Sequence, residues 1–423
     1  MWVRLFLRVV SLGAKFLLTV VIARTLGFAA VADYGLAVAA SVVASKVLGL
    51  GFSAELNRRL SAAEPGAAIH SARRLRGIYC ITYLAIAALG YAVWQSGRFD
   101  VERIGAPGVL IAVMLVAFAE HYALEANSYL FSLHRTQAAS VMLFARTGGW
   151  AVLAVAGLLA GVIHDIQPVL WLWIGANACV IVGAWVVIES VAREATPANR
   201  GDAGMRGVFA SGAAFYVATI LLSASQYAER FIATPYLSAD TLGRYVFTWS
   251  IANAVQTITY AALIVTAGPR LAKTAAVAPQ QFRAVLSRAL VRTTLLALII
   301  SFGIAALCNV LFGLAHQPTD RLGLETLLIL LASFVLRSVT DLLWAASIAL
   351  RQGMAVAFGT AVLLVLSSLS TWWLAVHLSM PGLALAHLGT SVFVSGWLGW
   401  VVRSRLPSTS PEAASQMGDR YVA

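Results

Sequence analysis

Five residues at the head of the chain have the types and spacing to compensate an anion. Arg4, Arg8, Ser11, Lys15 and Thr19 recur at steps of four, three, four and four inside an apolar run from Trp2 to Leu26. Two guanidinium groups, an ammonium and two hydroxyls therefore fall on one helical face. A cation deep in hydrocarbon costs ~2.5–3.5 kcal/mol on insertion scales, so this face is expected to look onto water or protein. Lys15 is the informative member, because at about 1.5 Å per residue it lies roughly 20 Å along the helix, past the middle of a core about 30 Å thick. Arg4 and Arg8 are close enough to the end to reach the interface and set orientation. The run reads as one wall of a cationic cavity, with a paired structural lysine as the competing reading. Lys15 interrupts the apolar stretch and Arg24 closes it, which argues against a secretory signal.

Further polar groups sit inside apolar runs. His121 and Glu125 are four residues apart on one face, with Glu120 beside them, and such a pair can relay a proton or form a structural hydrogen bond. Glu229 and Arg230 are adjacent, hence about 100° apart, and are expected to have different partners. Arg337 and Asp341 stand at a four-residue step that favours an intrahelical ion pair. Arg146 either lifts its head to the interface or turns inward towards an anionic ligand. Guanidinium groups bind phosphate bidentately, so Arg8, Arg146 and Arg230 are the residues expected to receive a pyrophosphate, with the Lys15 ammonium completing the cationic cavity. Glu120, His121, Glu125, Glu229 and Asp341 are the groups available for coupling to protons or sodium. Asn127, Gln137, Gln226, Asn253 and Gln256 offer hydrogen bonds to sugar hydroxyls or to neighbouring helices. Lys46 is expected to snorkel, and Trp171, Trp173, Trp372 and Trp373 to form an interfacial belt.

The elements that must position these groups are membrane helices. In 423 residues, 60% of the side chains are hydrophobic and only 11% charged, a balance that excludes a soluble globule of this length. Twelve apolar spans fall near 4–26, 31–52, 77–96, 107–131, 138–163, 168–190, 208–231, 241–266, 291–314, 325–350, 354–377 and 380–402. The formal charge of +12 is carried mostly by alternate connections. Arg58, Arg59, Arg73, Arg74 and Arg76 follow span two, Arg193, Arg200 and Arg206 follow span six, and Arg270, Lys273, Arg283 and Arg288 follow span eight. That asymmetry places both termini in the cytoplasm and explains the charge without a nucleic-acid partner. Segments Ser53 to Gly77 and Gln280 to Arg292 are expected to hold short basic interfacial helices. Cys80, Cys179 and Cys308 lie in apolar runs without metal-ligand spacing, so neither a disulfide nor a metal is expected.

The layout repeats, with two spans, a basic loop and four more spans in each half. This predicts an all-α polytopic membrane protein of twelve transmembrane helices in two six-helix lobes related by pseudo-two-fold symmetry. The lobes are residues 1–206 and 207–402, followed by a polar cytoplasmic tail at 403–423. An offset of 211 pairs Tyr34 with Tyr245 and Arg59 with Arg270. There is no phosphate-binding Gly-Lys-Ser/Thr loop, zinc spacing or nucleophile elbow, and the loops are too short for a catalytic domain, so no enzymatic activity and no bound cofactor are expected.

Ala23-Arg24-Thr25-Leu26-Gly27, Tyr34-Gly35-Leu36, Gly49-Leu50-Gly51-Phe52-Ser53 and Arg58-Arg59-Leu60 resemble the opening of Wzx-type polysaccharide flippases. These form the polysaccharide-transporter branch of the multidrug/oligosaccharidyl-lipid/polysaccharide (MOP) exporter superfamily. The resemblance implies a MATE-like fold and a multi-pass protein of the bacterial inner membrane. It also implies that an undecaprenyl-pyrophosphate-linked oligosaccharide is carried between leaflets for cell-surface polysaccharide synthesis, alongside other glycan-assembly membrane proteins. The family has no strict substrate signature, so no site residue is carried across. A drug or metabolite exporter of the same superfamily is the alternative. A membrane glycan polymerase or ligase, which needs a long periplasmic loop, is disfavoured.

Overall fold

Gly27 sits at φ 87°, a left-handed conformation that glycine adopts without a Cβ penalty, and it turns the first helix back on the second. The computed structural model describes residues 2–49, 53–61, 66–97, 106–194, 205–317 and 320–406. Helix α1 (Trp2–Thr25) is followed by α2 (Phe28–Val47), the short α3 (Ser53–Leu60), α4 (Gly66–Gln95) and α5 (Pro107–Ser132). Next come α6 (Thr136–Leu159), α7 (Ile166–Glu194), α8 (Met205–Ala233) and α9 (Ala239–Val277). The chain closes with α10 (Phe282–Ala306), α11 (Cys308–Leu314), α12 (Arg321–Ala349) and α13 (Gly353–Arg403). Among the described residues, nine helices are long and apolar enough to cross a membrane. One of these, α13, runs 51 residues and is broken at Ser379 (φ 53°, ψ −131°), two residues before Pro381. Helices α1 and α8 are of spanning length as well, at 24 and 29 residues. Each of the twelve apolar segments thus carries a helix.

Local chemistry explains most of the ends. Pro107 opens α5 where its missing N–H would have no partner in any case. Ser238 caps α9 by accepting from Thr241 N at 3.2 Å, and Asp320 caps α12 by accepting from Gly323 N at 2.7 Å. His134 takes φ 58° and ends the α5 turn. Two expectations are corrected. The third span begins at Gly66, so the interfacial helix before it shrinks to Ser53–Leu60. The segment Gln280 to Arg292 is largely the start of α10, since Phe282 and Leu286 are buried against Leu342 and Ala346 and no Gly or Pro interrupts them. The tail from 407 and the loop charges Arg98, Asp100, Glu102, Arg103 and Arg200 lie outside the described residues.

The helices are irregular in two places. In α6, Ala145–Gly149 forms a π turn, a one-residue insertion often met at functional sites. It is accommodated because Gly148 lies against α1, where a Cβ would fall 2.6 Å from Ser11 Cα. In α9 the helix is interrupted at Asn253, widens into a π turn at Tyr260–Ile264, and then contains Pro269, which removes a backbone hydrogen bond and bends the rod.

The first six spans meet the last six mainly where α2 packs on α8 and on the start of α9. The approach depends on small residues. A Cβ on Gly35 would lie 2.5 Å from Val246 Cγ1, and one on Gly243 would overlap the Phe28 carbonyl. The Phe28 and Phe247 rings meet edge-on at 5.9 Å beside them. The halves are thus closed at the α1–α2 turn. At the opposite end, the Val265–Val277 stretch of α9 has only Leu271 buried.

Closeness at Gly243 makes a test. Gly243→Ala is expected to cost about 1–3 kcal/mol through overpacking and to lower the thermal midpoint of the detergent-solubilised protein. Gly303→Ala, where nothing lies within 4 Å, should leave the midpoint unchanged or raise it.

Candidate functional site

Glu120 is the centre of the polar cluster in the first half. It projects from the middle of α5 and is buried. One carboxylate oxygen accepts from Arg146 Nη1 in an ion pair between two buried side chains. The other accepts from Trp173 Nε1 at 3.0 Å and Asn177 Nδ2 at 3.1 Å, both on α7. The π turn of α6 supplies Arg146, and its carbonyl takes the Trp150 indole N–H at 3.0 Å. Trp150 and Trp173 stack at 4.8 Å, closing the cluster on one side. From α1, the half-buried Lys15 places its Nζ 5.5 Å from the centre of the Trp173 ring and lies within Coulombic range of both Glu120 and Arg146. Two cations therefore share one carboxylate.

A second cluster lies in the other half. Arg230 on α8 is 1% exposed, donates from Nη1 to the Gly35 carbonyl at 2.8 Å, and stacks 4.2 Å above the Trp249 ring. That hydrogen bond joins the two halves of the chain. The Arg230 Nε and Nη2 atoms have no hydrogen-bond partner among the described residues. Its neighbour Glu229 turns the other way and accepts from the Tyr245 hydroxyl at 2.6 Å. Arg337 on α12 donates to Ser391 Oγ at 3.0 Å, inside a chain of hydroxyls and imidazole formed by Ser333, Ser391 and His387. Asp341 accepts from Gln256 Nε2 at 2.8 Å, a residue of the interrupted part of α9.

Several expectations change. Arg337 and Asp341 form no ion pair, because each is engaged by a different helix. His121 and Glu125 are not hydrogen-bonded to each other. The His121 Nδ1 faces the Tyr83 hydroxyl at 2.5 Å and its Nε2 has no partner among the described residues. Trp173 is buried against Glu120, not part of an interfacial belt, whereas Trp171, Trp372 and Trp373 are exposed. Arg146 turns inward, but onto Glu120. The Arg8 side chain lies outside the described residues.

Sequence reasoning singled out Glu120 and Arg146 separately and missed that they pair. The signal was present: Glu120 is twelve residues before the end of α5 and Arg146 ten after the start of α6. Antiparallel helices joined by a short turn bring such positions to about the same depth. Trp173, Asn177, Tyr245 and Gln256 as partners had no comparable signal, since their depth depends on longer connections or on packing between non-adjacent helices.

A buried pair leaves a diagnostic behind when it is broken. Glu120→Gln is expected to destabilise by about 3–5 kcal/mol, because Arg146 is left buried and uncompensated. Glu120→Gln combined with Arg146→Met should recover much of that loss, measured by thermal unfolding in detergent. Additive losses would show that the pair is not coupled.

The profile of the polysaccharide biosynthesis protein family matches residues 3–275. No curated protein matches the chain. Among solved structures the chain resembles an inward-facing multidrug resistance MATE family transporter of the MOP superfamily, with TM-score 0.68 at 13% identity over 96% of this chain and 97% of that one. It also resembles the lipid II flippase MurJ in an inward closed conformation, with TM-score 0.65 at 10% identity over 95% and 86%. A mutant of a Vibrio cholerae MATE transporter aligns with TM-score 0.57 at 14% identity over 96% and 95%. At these identities the likeness speaks for the fold, a multi-pass helical membrane transporter architecture. With the family profile spanning well over half of its residues, the chain belongs to the polysaccharide biosynthesis protein family.

Proposed function

We propose that the chain is a flippase that moves a polyprenyl-pyrophosphate-linked oligosaccharide, of the undecaprenyl type, across the bacterial inner membrane by alternating access. Family membership supports the substrate class. The observation that carries the mechanism is the shared carboxylate: among the described residues, Lys15 and Arg146 have only Glu120 between them, which leaves a positive charge inside the membrane on α1. A pyrophosphate cannot cross hydrocarbon unaided, and a fixed cation beside its path offsets part of that cost. Arg146 is held by Glu120 and shapes the site, while Lys15 is the cation free to turn to the phosphate. Arg230 and Arg8 are assigned the same role at other depths, and the polar amides Asn253 and Gln256 face the sugars.

The two lobes, residues 1–206 and 207–402, would rock about the α2 contact, with both termini in the cytoplasm. Protons or sodium would act on the carboxylates held by neutral donors, Glu229 by Tyr245 and Asp341 by Gln256. The fold likeness to a multidrug transporter supports a second reading, export of a drug or metabolite. A net cation in the pathway works against the usual cationic drugs.

Deletion of the protein should make one lipid-linked glycan accumulate on the cytoplasmic leaflet. Complementation with Lys15→Ala, at equal expression, should leave it there, and Lys15→Arg should restore at least part of the flux. Wild-type flux in Lys15→Ala would remove the cation from the mechanism. Vesicles that transport a labelled drug and leave lipid-linked glycan in place would favour the exporter reading.

A further inference from the structure

We infer that the groove between the end of α9 and the start of α10 holds the headgroup of an anionic phospholipid from the adjacent leaflet. The groove is about 330 Å³, and Arg270, Lys273, Arg288 and Arg292 line it together with Leu271, Val285 and Thr293. The four cations come from two helices, are exposed, and take part in no ion pair among the described residues. The hairpin offers nothing to neutralise them: no Asp or Glu occurs between Asp240 and Asp320. Isolated basic residues near a membrane surface orient a chain, but four that converge on one concave site repel one another, and an anion is what relieves that.

The occupant is fixed by what continues from the cations. On α10, Arg288, Arg292, Leu295, Ile299 and Phe302 fall at steps of four, three, four and three, so they share one face. Leu295, Ile299 and Phe302 are 55%, 67% and 72% exposed. A phosphate at the arginines with acyl chains running down that apolar stripe matches the profile of a phospholipid, whereas a soluble phosphate would use the cations alone. The floor is packed, with Leu271, Phe282, Leu286, Leu342 and Ala346 buried beneath. A lipid seated here would tie α10 to the part of α9 beyond the π turn and Pro269. The site is remote in sequence from Lys15 and Glu120, and its occupancy does not depend on what the protein transports.

The test is binding by the purified full chain in detergent, read by native mass spectrometry with phosphatidylglycerol or phosphatidylcholine as the added lipid. The wild type should retain phosphatidylglycerol over phosphatidylcholine. Arg288→Gln with Arg292→Gln should weaken that binding about 25-fold, roughly fivefold per cation at an anionic surface. Arg270→Gln with Lys273→Gln should do the same from the opposite helix, and its result decides should the first pair fail to fold. Arg288→Lys with Arg292→Lys should preserve binding, and Arg283→Gln, outside the groove, should change nothing. Unchanged retention in a folded double variant, or equal retention of phosphatidylcholine, overturns the proposal. Displacement of phosphatidylglycerol by equimolar inorganic pyrophosphate also overturns it, since the groove would then be a soluble phosphate site.

Discussion

Burying charge in a medium that cannot solvate it is the constraint on which the interior of this protein depends. Each intramembrane ion must find a partner, a dipole or water, and the residues that satisfy Glu120 come from two neighbouring helices at once: Arg146 on α6, and Trp173 and Asn177 on α7. A carboxylate with that many donors locks the relative depth and rotation of α5, α6 and α7, because sliding any one of them strands a charge. The same requirement explains why the second half uses neutral donors. Glu229 and Asp341 are held by a phenol and an amide, and the nearby guanidinium groups of Arg230 and Arg337 go to a carbonyl and a hydroxyl instead. One half is pinned by an ion pair and the other by a looser network of hydrogen bonds.

Helix irregularity serves that arrangement. A regular α6 would carry Arg146 round by one position relative to the residues after it, and the π turn at Ala145–Gly149 lets the guanidinium face Glu120 while Trp150 faces Trp173. The corresponding breaks in α9 lie beyond its contact with α2. The half of α9 that packs is regular and well buried, and the half that follows Asn253 is exposed and interrupted. A rod that is stiff at the seal and jointed past it can change its course at one end without losing contact at the other.

The number and order of the helices were legible because twelve apolar stretches of spanning length leave a chain little choice in a bilayer, where every backbone group must be paired within its own segment. The resemblance carried by Gly27 and Gly35 also has a physical counterpart. The first takes a positive φ and the second admits Val246. What the sequence did not disclose was partnership between distant helices. Periodicity places a residue on a face, and only the rotation of that helix against its neighbours says what the face meets. Arg337 and Asp341 illustrate the failure: local spacing favours their pairing, yet tertiary contacts with Ser391 and Gln256 win, because the helix is surrounded by donors and acceptors on other elements. Helix ends were misjudged where a basic interfacial run continued into a span without a breaker, as in α10.

Arg230 links the fold to the proposed function most directly, because its one hydrogen bond to the chain's other half is also part of the seal. In the closed arrangement Nη1 holds the Gly35 carbonyl and the ring of Trp249 covers the cation's face, while Nε and Nη2 have no partner among the described residues. The seal itself is mostly small-residue packing at Gly35 and Gly243, which is short-ranged and lost almost entirely over an ångström or two of separation. Parting α2 from α8 and α9 would then strip Arg230 of its carbonyl and expose it with several free donors at once. An anion arriving at that moment has differential affinity for the parted state over the sealed one, and only such a difference lets a substrate shift the equilibrium between two conformations. A cation would have no such preference, so under the proposed function the position of this arginine at the seam would tie the sign of the cargo to the movement that releases it.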